Sequence, residues 1–439
     1  MPSLATRQLN PTAFPAARQN TISLILIALW TAALAVQLTG GWGSDLAALY
    51  LAGHFYASGQ DGLVYALSRG VFSQTPEAWL PTLDAMGAHG ESAFPYIYPP
   101  IWAILIAPMT KFLSFQQFFD LFGLIHAAAL GAAMLLARRI LTALPNALPP
   151  LILTGVLLIG ALLTYPVATA VFFNQPTAIT TALTLFALER LLNDRPSQAG
   201  IALALAAAIK LTPAAFVLVF LLDRNWRAVI AFTVTLTVIA ALNIIIAPDL
   251  SRSFVAALPQ LSEHTTLTRI NTSLLPALFM IGSWTGLLPQ VPQNATGILL
   301  GPNGVPFPPI LAVIPKIAAV IALVAGYLAL RHTAAHRGIR LAGATLLISI
   351  IVPLFGPLGW QHYYIVPLFL LPMLAPALPT RAAILTFGGF ILATHPPIVL
   401  WIGVLGRNAP VHETLLTVVW LMVLIGTVVL VKRLARDPA

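Results

Sequence analysis

The sequence predicts an all-α, polytopic transmembrane helical bundle, and three observations support that prediction. First, 59% of the 439 residues are hydrophobic and only 8% are charged, whereas soluble domains average about 45–50% apolar and about 25% charged residues. Second, the apolar residues lie in many long runs, and a run of about 20 residues is enough to cross the hydrocarbon core. Third, period-two alternation is absent, which excludes an outer-membrane barrel. The same composition excludes an ordinary soluble enzyme and a disordered chain.

The first predicted membrane helix covers Thr21–Leu38 and follows a short tail that carries Arg7 and Arg18. An Ala-Leu-Ala tripeptide at residues 33–35 resembles the small-residue cleavage site of a signal peptide. This tripeptide lies inside the apolar run, and many further runs follow it. We therefore expect an uncleaved first helix.

Eleven further apolar segments follow, of which the two around Lys210 are too short for a comfortable span. We predict that these two form a hairpin with Lys210 near its outer tip. The count is then about 12 membrane helices, and an even number places both termini on one side. The segments are Phe118–Leu136, Pro150–Pro166, Pro176–Leu192, Gly200–Ile209, Pro213–Leu222, Trp226–Pro248, Ile310–Leu330, Leu341–Pro357, Tyr363–Leu378, Ala382–Thr394 and Thr414–Val431.

The distribution of charge orients this bundle. Most of the 22 Lys and Arg residues fall in the loops that the count places inside, and most acidic residues fall outside. The positive-inside rule therefore predicts cytoplasmic termini in a multi-pass protein of the inner or plasma membrane. The net charge of +9 reflects this orientation and does not indicate a nucleic-acid partner. The chain has no cysteine, which excludes disulfides, thiolate nucleophiles and Cys-ligated metal sites.

Two predicted outer loops, residues 39–117 and 249–309, are long, whereas the inner loops are short. Neither a separate soluble domain nor an internal repeat is evident, so residues 1–439 are predicted to form a single domain. Function is expected on the extracytoplasmic face. Both outer loops contain semi-apolar segments that suit interfacial helices, namely Leu46–Ala57, Ile101–Phe112 and Leu274–Leu287.

Three polar residues stand out against this apolar background. Asp45 follows the first helix, where a carboxylate beside apolar surface can act as a base; the alternative is a helix N-cap. Lys210 lies in an apolar segment, where a cation indicates an anionic partner unless it snorkels to the interface. His362 can donate to a phosphate or shuttle a proton, while its neighbour Trp360 also suits an interfacial anchor.

Further candidates lie in the outer loops. Tyr98 belongs to a Tyr-Ile-Tyr-Pro-Pro segment, which is also typical of an aromatic belt that starts an interfacial helix. Arg269 and Asn271 share the second outer loop, where an arginine can clamp a phosphate or simply be solvated. The sequence has no phosphate-cradling P-loop and no Gly-x-Ser-x-Gly elbow. We predict no cofactor, and the need for a divalent metal stays open.

These motifs resemble, in their order along the chain, glycosyltransferase family 87, whose members include polyprenol-phosphate-mannose-dependent mannosyltransferases. The similarity runs from about residue 20 to about residue 380. It rests on the loop aspartate Asp45, Tyr-Pro-Pro at 98–100, Asn174-Gln175 before a helix, Ala-Gly…Ala-Ala-Ile-Lys…Pro at 199–213, Asn-x-Ser-Leu at 271–274 and Pro…Trp-x-His at 357–362.

The resemblance implies a GT-C fold, a lipid-phosphate sugar donor, an extracytoplasmic active site and inversion at the anomeric carbon. It maps the family's loop aspartate onto Asp45, which would deprotonate an acceptor hydroxyl. It maps the hairpin lysine onto Lys210 and the Trp-x-His histidine onto His362, which would stabilise the leaving phosphate. The residues expected to bind substrate are Lys210, Arg269, Asn271, Tyr98, Gln175 and Trp360.

The expected partners are a lipid-linked sugar, with a hexose such as mannose, a glycolipid or glycan acceptor, and membrane lipids. The sequence departs from the family at residues 59–65, where a Leu-Tyr-Asp pattern is shuffled, and at residues 71–92, which leaves the acceptor open. A transporter and a structural scaffold are the two alternative functions. A transporter would need polar or broken helices at the midplane and an internal repeat. A scaffold would not require a lysine such as Lys210 within an apolar segment.

Overall fold

The computed structural model of the protein describes residues 15–66, 72, 74–291, 297–301, 304–331, 336–399 and 411–434. The two strands in this part of the chain are β1 (Thr265–Leu267) and β2 (Ile298–Leu300). The helices are α1 (Ala16–Leu38), α2 (Ser44–Ala57), α3 (Leu80–Ala85), α4 (Pro100–Ile106), α5 (Phe115–Thr142), α6 (Pro150–Leu163), α7 (Tyr165–Phe172), α8 (Thr177–Leu192), α9 (Pro196–Ile209), α10 (Val217–Leu222), α11 (Trp226–Ile246), α12 (Pro248–Glu263), α13 (Leu274–Trp284), α14 (Pro309–Leu330), α15 (Arg337–Phe355), α16 (Ile365–Leu370), α17 (Thr380–Ala393) and α18 (Val411–Leu434).

Six of the described helices are long and apolar enough to cross a membrane: α1, α5, α11, α14, α15 and α18. The adjacent pair α6 and α7, bent by 56°, forms a seventh candidate. These helices confirm the prediction of an all-α, polytopic membrane protein. The number of about 12 membrane helices stays a prediction, because several other helices, such as α9 and α17, have only 14 residues.

The bend between α6 and α7 has a local cause. Thr164, at the break, has an extended backbone with φ −113° and ψ 150°, and Pro166 follows in the first turn of α7. Proline lacks a backbone N–H and disfavours a helical backbone in the residue before it, so a straight helix cannot continue through this point. The predicted single segment Pro150–Pro166 is therefore a bent pair.

The short segments around Lys210 form a hairpin. Helix α9 ends one residue before Lys210, whose backbone is extended, and the chain then continues through a 3-10 turn at Thr212–Phe216 into α10. Arg337 ties the open ends of the hairpin together. Its guanidinium donates to Asp194 at 2.9 Å and to Asp223 at 2.8 Å. Lys210 lies at the other end of the hairpin, away from this charge cluster.

The segment predicted as one helix over Tyr363–Leu378 is divided into three pieces. A 3-10 segment at Gln361–Tyr364 precedes α16, and a second 3-10 segment at Leu371–Ala377 follows it. Prolines at positions 367, 372 and 376 each remove a backbone donor and prevent a long regular helix.

The segment predicted as the first outer loop contains a cluster of buried side chains. We expected its helices to lie along the interface, but α2 is almost entirely buried, and Leu46, Leu49 and Phe55 are fully enclosed. Trp79 and Tyr96 are buried with them in a second core, which also includes Phe118, Phe119 and Phe122 of α5. Large aromatic side chains contribute much of the apolar area of this core.

The second long loop contains a small β-ribbon. Strands β1 and β2 are antiparallel, with Thr265 opposite Leu300. Beyond β1, Asn271 forms an isolated antiparallel bridge with Trp360. This bridge fixes the second loop against the segment that carries His362.

Candidate active site

Asp45 lies in the first turn of α2 and faces the turn that precedes α8. Gln175, in that turn, donates a hydrogen bond from its side-chain amide to Asp45 Oδ2. A Cβ atom on Gly43 would lie 2.7 Å from the Cβ of Asn174 and 3.1 Å from the carbonyl oxygen of Phe173. Glycine at position 43 thus allows the start of α2 to approach this turn. The helix has no side-chain N-cap, so Asp45 does not have the capping role that was its alternative.

Asp45 is half-buried. Burial raises the pKa of Asp45 from its ordinary value to about 6, while the positive charge of Lys210 and the hydrogen bond from Gln175 oppose this rise. The group is therefore ionised at neutral pH and is a stronger base than an ordinary aspartate.

Gln175 connects Asp45 to Lys210. Its backbone N–H donates to the carbonyl oxygen of Ala170 at 2.9 Å, and the preceding Asn174 has a positive φ of 49°, which makes a tight turn before α8. While its NH₂ group bonds Asp45, its Oε1 accepts from Lys210 Nζ at 3.4 Å. Tyr98 also donates to this oxygen, at 3.5 Å.

Lys210 is enclosed and is only 7% exposed, so it does not snorkel to the surface. Its Nζ donates to Thr177 Oγ1 at 3.3 Å and to His362 Nε2 at 3.4 Å. The rings of Tyr363 and Tyr98 lie 4.4 and 5.5 Å from Nζ, within the range of cation–π attraction. The hydrogen bonds exceed the usual 2.7–3.2 Å, so the ammonium is held loosely.

His362 is 1% exposed and presents Nε2 to the Lys210 ammonium. Burial and the neighbouring positive charge lower the pKa of His362 well below its ordinary value, so the imidazole is neutral. Since an ammonium only donates, Nε2 is the acceptor and Nδ1 carries the proton. This Nδ1 has no hydrogen-bond partner within the described chain. It is an enclosed donor beside an enclosed cation.

Residues of the second loop hold the backbone turn that precedes His362. The Asn271 side chain accepts from the Gly359 backbone N–H at 2.8 Å and donates to the Thr266 carbonyl oxygen at 2.9 Å. The Gln361 backbone N–H donates to the carbonyl oxygen of Ile270 at 2.9 Å. Asn271, with its backbone bridge to the buried Trp360, therefore orders the turn before His362. Their substrate-binding roles stay predictions.

Arg269 stands apart from this group. It is exposed, and its charge acts on Glu413 and Tyr165. Its backbone oxygen accepts from His412 Nε2 at 3.1 Å. The phosphate clamp predicted for Arg269 stays a prediction. The structure therefore brings together Asp45, Tyr98, Gln175, Lys210 and His362, with Asn271 and Trp360 behind His362.

Three residues of the site were missed in the sequence. Tyr363 was assigned only to the start of a predicted helix, although it directly follows His362, and Thr177 was not considered, although it lies two residues after Gln175. His126, on α5, donates from Nδ1 to Asn174 Oδ1 at 2.6 Å and so supports the turn. In the sequence, His126 could have been found as a lone polar residue in an apolar helix.

The geometry combines a proton acceptor with an anion-binding cation. The carboxylate of Asp45 lies on one side of the Gln175 amide, and the ammonium of Lys210 lies on the other, with His362 Nε2 accepting from it. Such a site can deprotonate a hydroxyl while it stabilises a departing anion. No group of three His, Cys, Asp or Glu residues that could hold a metal occurs in the described part of the chain.

Comparison with known proteins identifies the family of the chain. The family model for glycosyltransferase family 87 matches residues 96–357, which is more than half of the chain. The match includes Tyr98, Gln175, Lys210 and Asn271, whereas Asp45 precedes it. No curated protein matches the chain. The chain therefore belongs to glycosyltransferase family 87 and is a membrane glycosyltransferase.

Proposed function

We propose that this glycosyltransferase transfers a hexose, such as mannose, from a polyprenyl-phosphate donor to an acceptor hydroxyl, with inversion at the anomeric carbon. The observation that carries the proposal is the pairing of the half-buried Asp45 with the enclosed Lys210 across a single glutamine amide. It provides a base and a phosphate-binding cation in one site. The acceptor is a glycolipid or glycan.

The donor class follows from the cation. A polyprenyl-phosphate sugar releases a phosphate monoester anion, and Lys210, with His362 beside it, stabilises charge as it develops there. Because the hydrogen bonds of Lys210 measure 3.3–3.4 Å, its ammonium is free to turn toward a phosphate oxygen. Arg269 is the further candidate for this anion. The lipid tail lies among the membrane helices.

Inversion requires the acceptor oxygen to attack C1 from the face opposite the leaving phosphate. Asp45 serves as the general base on that face, because its carboxylate is half-buried and is separated from Lys210 by Gln175. Its pKa of about 6 leaves it ionised at neutral pH, as a base must be.

An extracytoplasmic site is supported by charge. The Arg337–Asp223–Asp194 cluster at the open end of the hairpin lies among the basic segments that the positive-inside rule assigns to the cytoplasm, and Lys210 lies at the other end. Family membership favours a transferase over a transporter, which had been the alternative function.

The test is sugar transfer in membranes that contain wild-type protein, Asp45→Asn or Lys210→Met. Labelled polyprenyl-phosphate-mannose and other lipid-phosphate sugars would be supplied with native lipid acceptors. We expect transfer by the wild type and a loss of about 10²–10⁴-fold in Asp45→Asn. Asp84→Asn, which alters a carboxylate that is 52% exposed in the same loop, is the matched control.

Each alternative result removes a different part of the proposal. Full transfer by Asp45→Asn at equal protein level would remove Asp45 as the base but keep the donor class. Transfer from a nucleotide sugar and from no lipid-phosphate sugar would overturn the donor class. A product that retains the donor's anomeric configuration by NMR would overturn inversion.

A further inference from the structure

A small cavity lined partly by hydroxyl groups borders Lys210, and the mechanism above does not use it. Its volume is about 40 Å³. It lies between α8, the 3-10 turn after Lys210 and the end of α15, with the ring of Tyr363 at its side. The hydroxyl-bearing residues in its wall are Thr177, Thr180, Thr181, Thr184, Thr212 and Ser349. So many hydroxyls are unusual within an otherwise apolar bundle.

Two of the deeply buried hydroxyls lack partners within the described chain. Buried Ser and Thr in a helix commonly bond back to a carbonyl of the preceding turn, and Ser349 does so at 2.7 Å. Thr181 and Thr184 are 2% and 3% exposed, and neither hydroxyl bonds another residue of the described chain. Both line the cavity. Polar groups buried this deeply are normally satisfied by protein or by ordered water.

Lys210 also lacks close hydrogen bonds. Its protein acceptors lie at 3.3–3.4 Å, and burial of an ammonium is costly unless good hydrogen bonds replace its hydration. The titratable groups that face it are Asp45, His362, Tyr98 and Tyr363. Of these, only Asp45 is anionic at neutral pH, and it bonds Gln175.

We propose that this cavity is a water-binding site, whose ordered waters bond Thr181 and Thr184 and hydrate the Lys210 ammonium. The waters keep Lys210 charged before the donor phosphate arrives, and this consequence rests on the function proposed above. A water needs roughly 10–15 Å³ and two to four polar partners. The cavity therefore holds about three waters, and the threonine hydroxyls and Lys210 supply their partners.

The waters solvate Lys210 and do not conduct protons across the bundle. The next void beyond Thr184 measures only about 10 Å³. Its lining consists mainly of alanine, leucine and phenylalanine side chains, which offer no hydrogen bonds. This neighbouring void thus offers few partners for further ordered waters.

The test replaces both hydroxyls by methyl groups of nearly equal volume. The Thr181→Val/Thr184→Val double variant removes the water partners, whereas Thr181→Ser/Thr184→Ser retains them. Thr427→Val is the matched control, because its buried hydroxyl only bonds back to Val423 at 2.7 Å on α18. The donor KM and kcat would be measured from pH 6.5 to pH 9.

We expect the double valine variant to raise the donor KM about tenfold at pH 8. Donor binding should weaken at alkaline pH as Lys210 loses its proton. In the valine pair this loss should begin about one pH unit lower, since an ammonium without hydration loses its proton more readily. The serine pair and Thr427→Val retain the wild-type profile. An unshifted profile in the valine pair would overturn the inference.

Thermal unfolding in detergent gives a readout that does not depend on activity. The valine pair should lower Tm more at pH 6.5 than at pH 9, because only the charged lysine needs the waters. In a Lys210→Met background this pH dependence should vanish. If it persists there, the hydroxyls matter for packing alone and the inference is wrong. If the pH dependence vanishes in that background while the wild-type protein uses no lipid-phosphate donor, the combined result supports the hydration of Lys210 and contradicts the proposed function.

Discussion

Sugar transfer is expected to fall about tenfold when the pH is lowered from 7 to 5. The proposed base acts only as a carboxylate, and the pKa of Asp45 is about 6. Its ionised fraction is then about 0.9 at pH 7, about 0.5 at pH 6 and about 0.1 at pH 5. The value of kcat/KM should follow this fraction, because it reports the free enzyme's essential base.

The neighbours of Asp45 determine where this inflection lies. Lys210 and Gln175 both lower the pKa of Asp45, the former by its charge and the latter by its hydrogen bond. Removing either one should therefore move the inflection above pH 6. Lys210→Met should move it further than Gln175→Leu, since the charge has the larger effect. Asp45→Asn should abolish the inflection together with most of the rate.

The assay measures initial rates with labelled polyprenyl-phosphate-mannose in detergent micelles between pH 4.5 and pH 8.5. Enzyme held at pH 5 and returned to pH 7 must recover its rate, so that unfolding is separated from titration. Asp84→Asn should keep the wild-type inflection. A flat profile between pH 5 and pH 7 would refute the assignment of the base. An inflection unmoved by Lys210→Met would refute the electrostatic coupling.

Three further predictions concern how the site and bundle are held. Gly43→Ala should lower kcat/KM by about tenfold or more, since the new methyl group would lie 2.7 Å from the facing turn, whereas Gly41→Ala meets nothing within 4 Å. His126→Leu removes a 2.6 Å hydrogen bond to the same turn and should lower kcat about tenfold, with His126→Asn restoring part of it. Asp223→Asn leaves two arginines without their buried carboxylate and should lower Tm by about 5 °C, whereas Asp249→Asn, in an exposed pair, should change it little.

These predictions are checked by steady-state kinetics and by thermal unfolding in detergent. Equal losses in the two glycine variants would contradict the close approach of α2 to the turn. A His126→Leu variant that loses only Tm would make that residue structural. Equal changes in Tm for the two aspartate variants would show that the charge cluster contributes no more than a surface pair.

The sequence predicted where helices form more reliably than it predicted their shape. The segment Trp226–Pro248 became α11, because a long apolar run in a membrane has few alternatives to a helix. Pro150–Pro166 became a bent pair, and Tyr363–Leu378 became short pieces, because prolines act on individual backbone donors that a hydropathy window averages out. The burial of α2 depends on aromatic side chains that are distant in sequence, such as Trp79.

The residues of the site also differ in how far the sequence could predict them. Asp45, Lys210 and His362 were selected because polar groups beside apolar sequence are energetically costly and therefore indicate a functional site. The structure brings all three together. The resemblance contributed Gln175, whose amide joins two of them. Tyr363 was missed because an aromatic residue at a helix boundary has the same pattern whether it anchors the helix or faces a cation. Only the structure places its ring 4.4 Å from Nζ.

The position of Gln175 explains why a base and a cation can share one enclosed site. A direct ion pair would lower the pKa of the carboxylate and occupy the ammonium, so that neither group would be suited to its task. An amide gives each charge a hydrogen-bonding partner, with NH₂ for Asp45 and Oε1 for Lys210, and carries no charge itself. The carboxylate keeps a pKa near 6, which suits proton transfer at neutral pH. The ammonium keeps its capacity to bind phosphate, because its hydrogen bonds to the protein are long and weak.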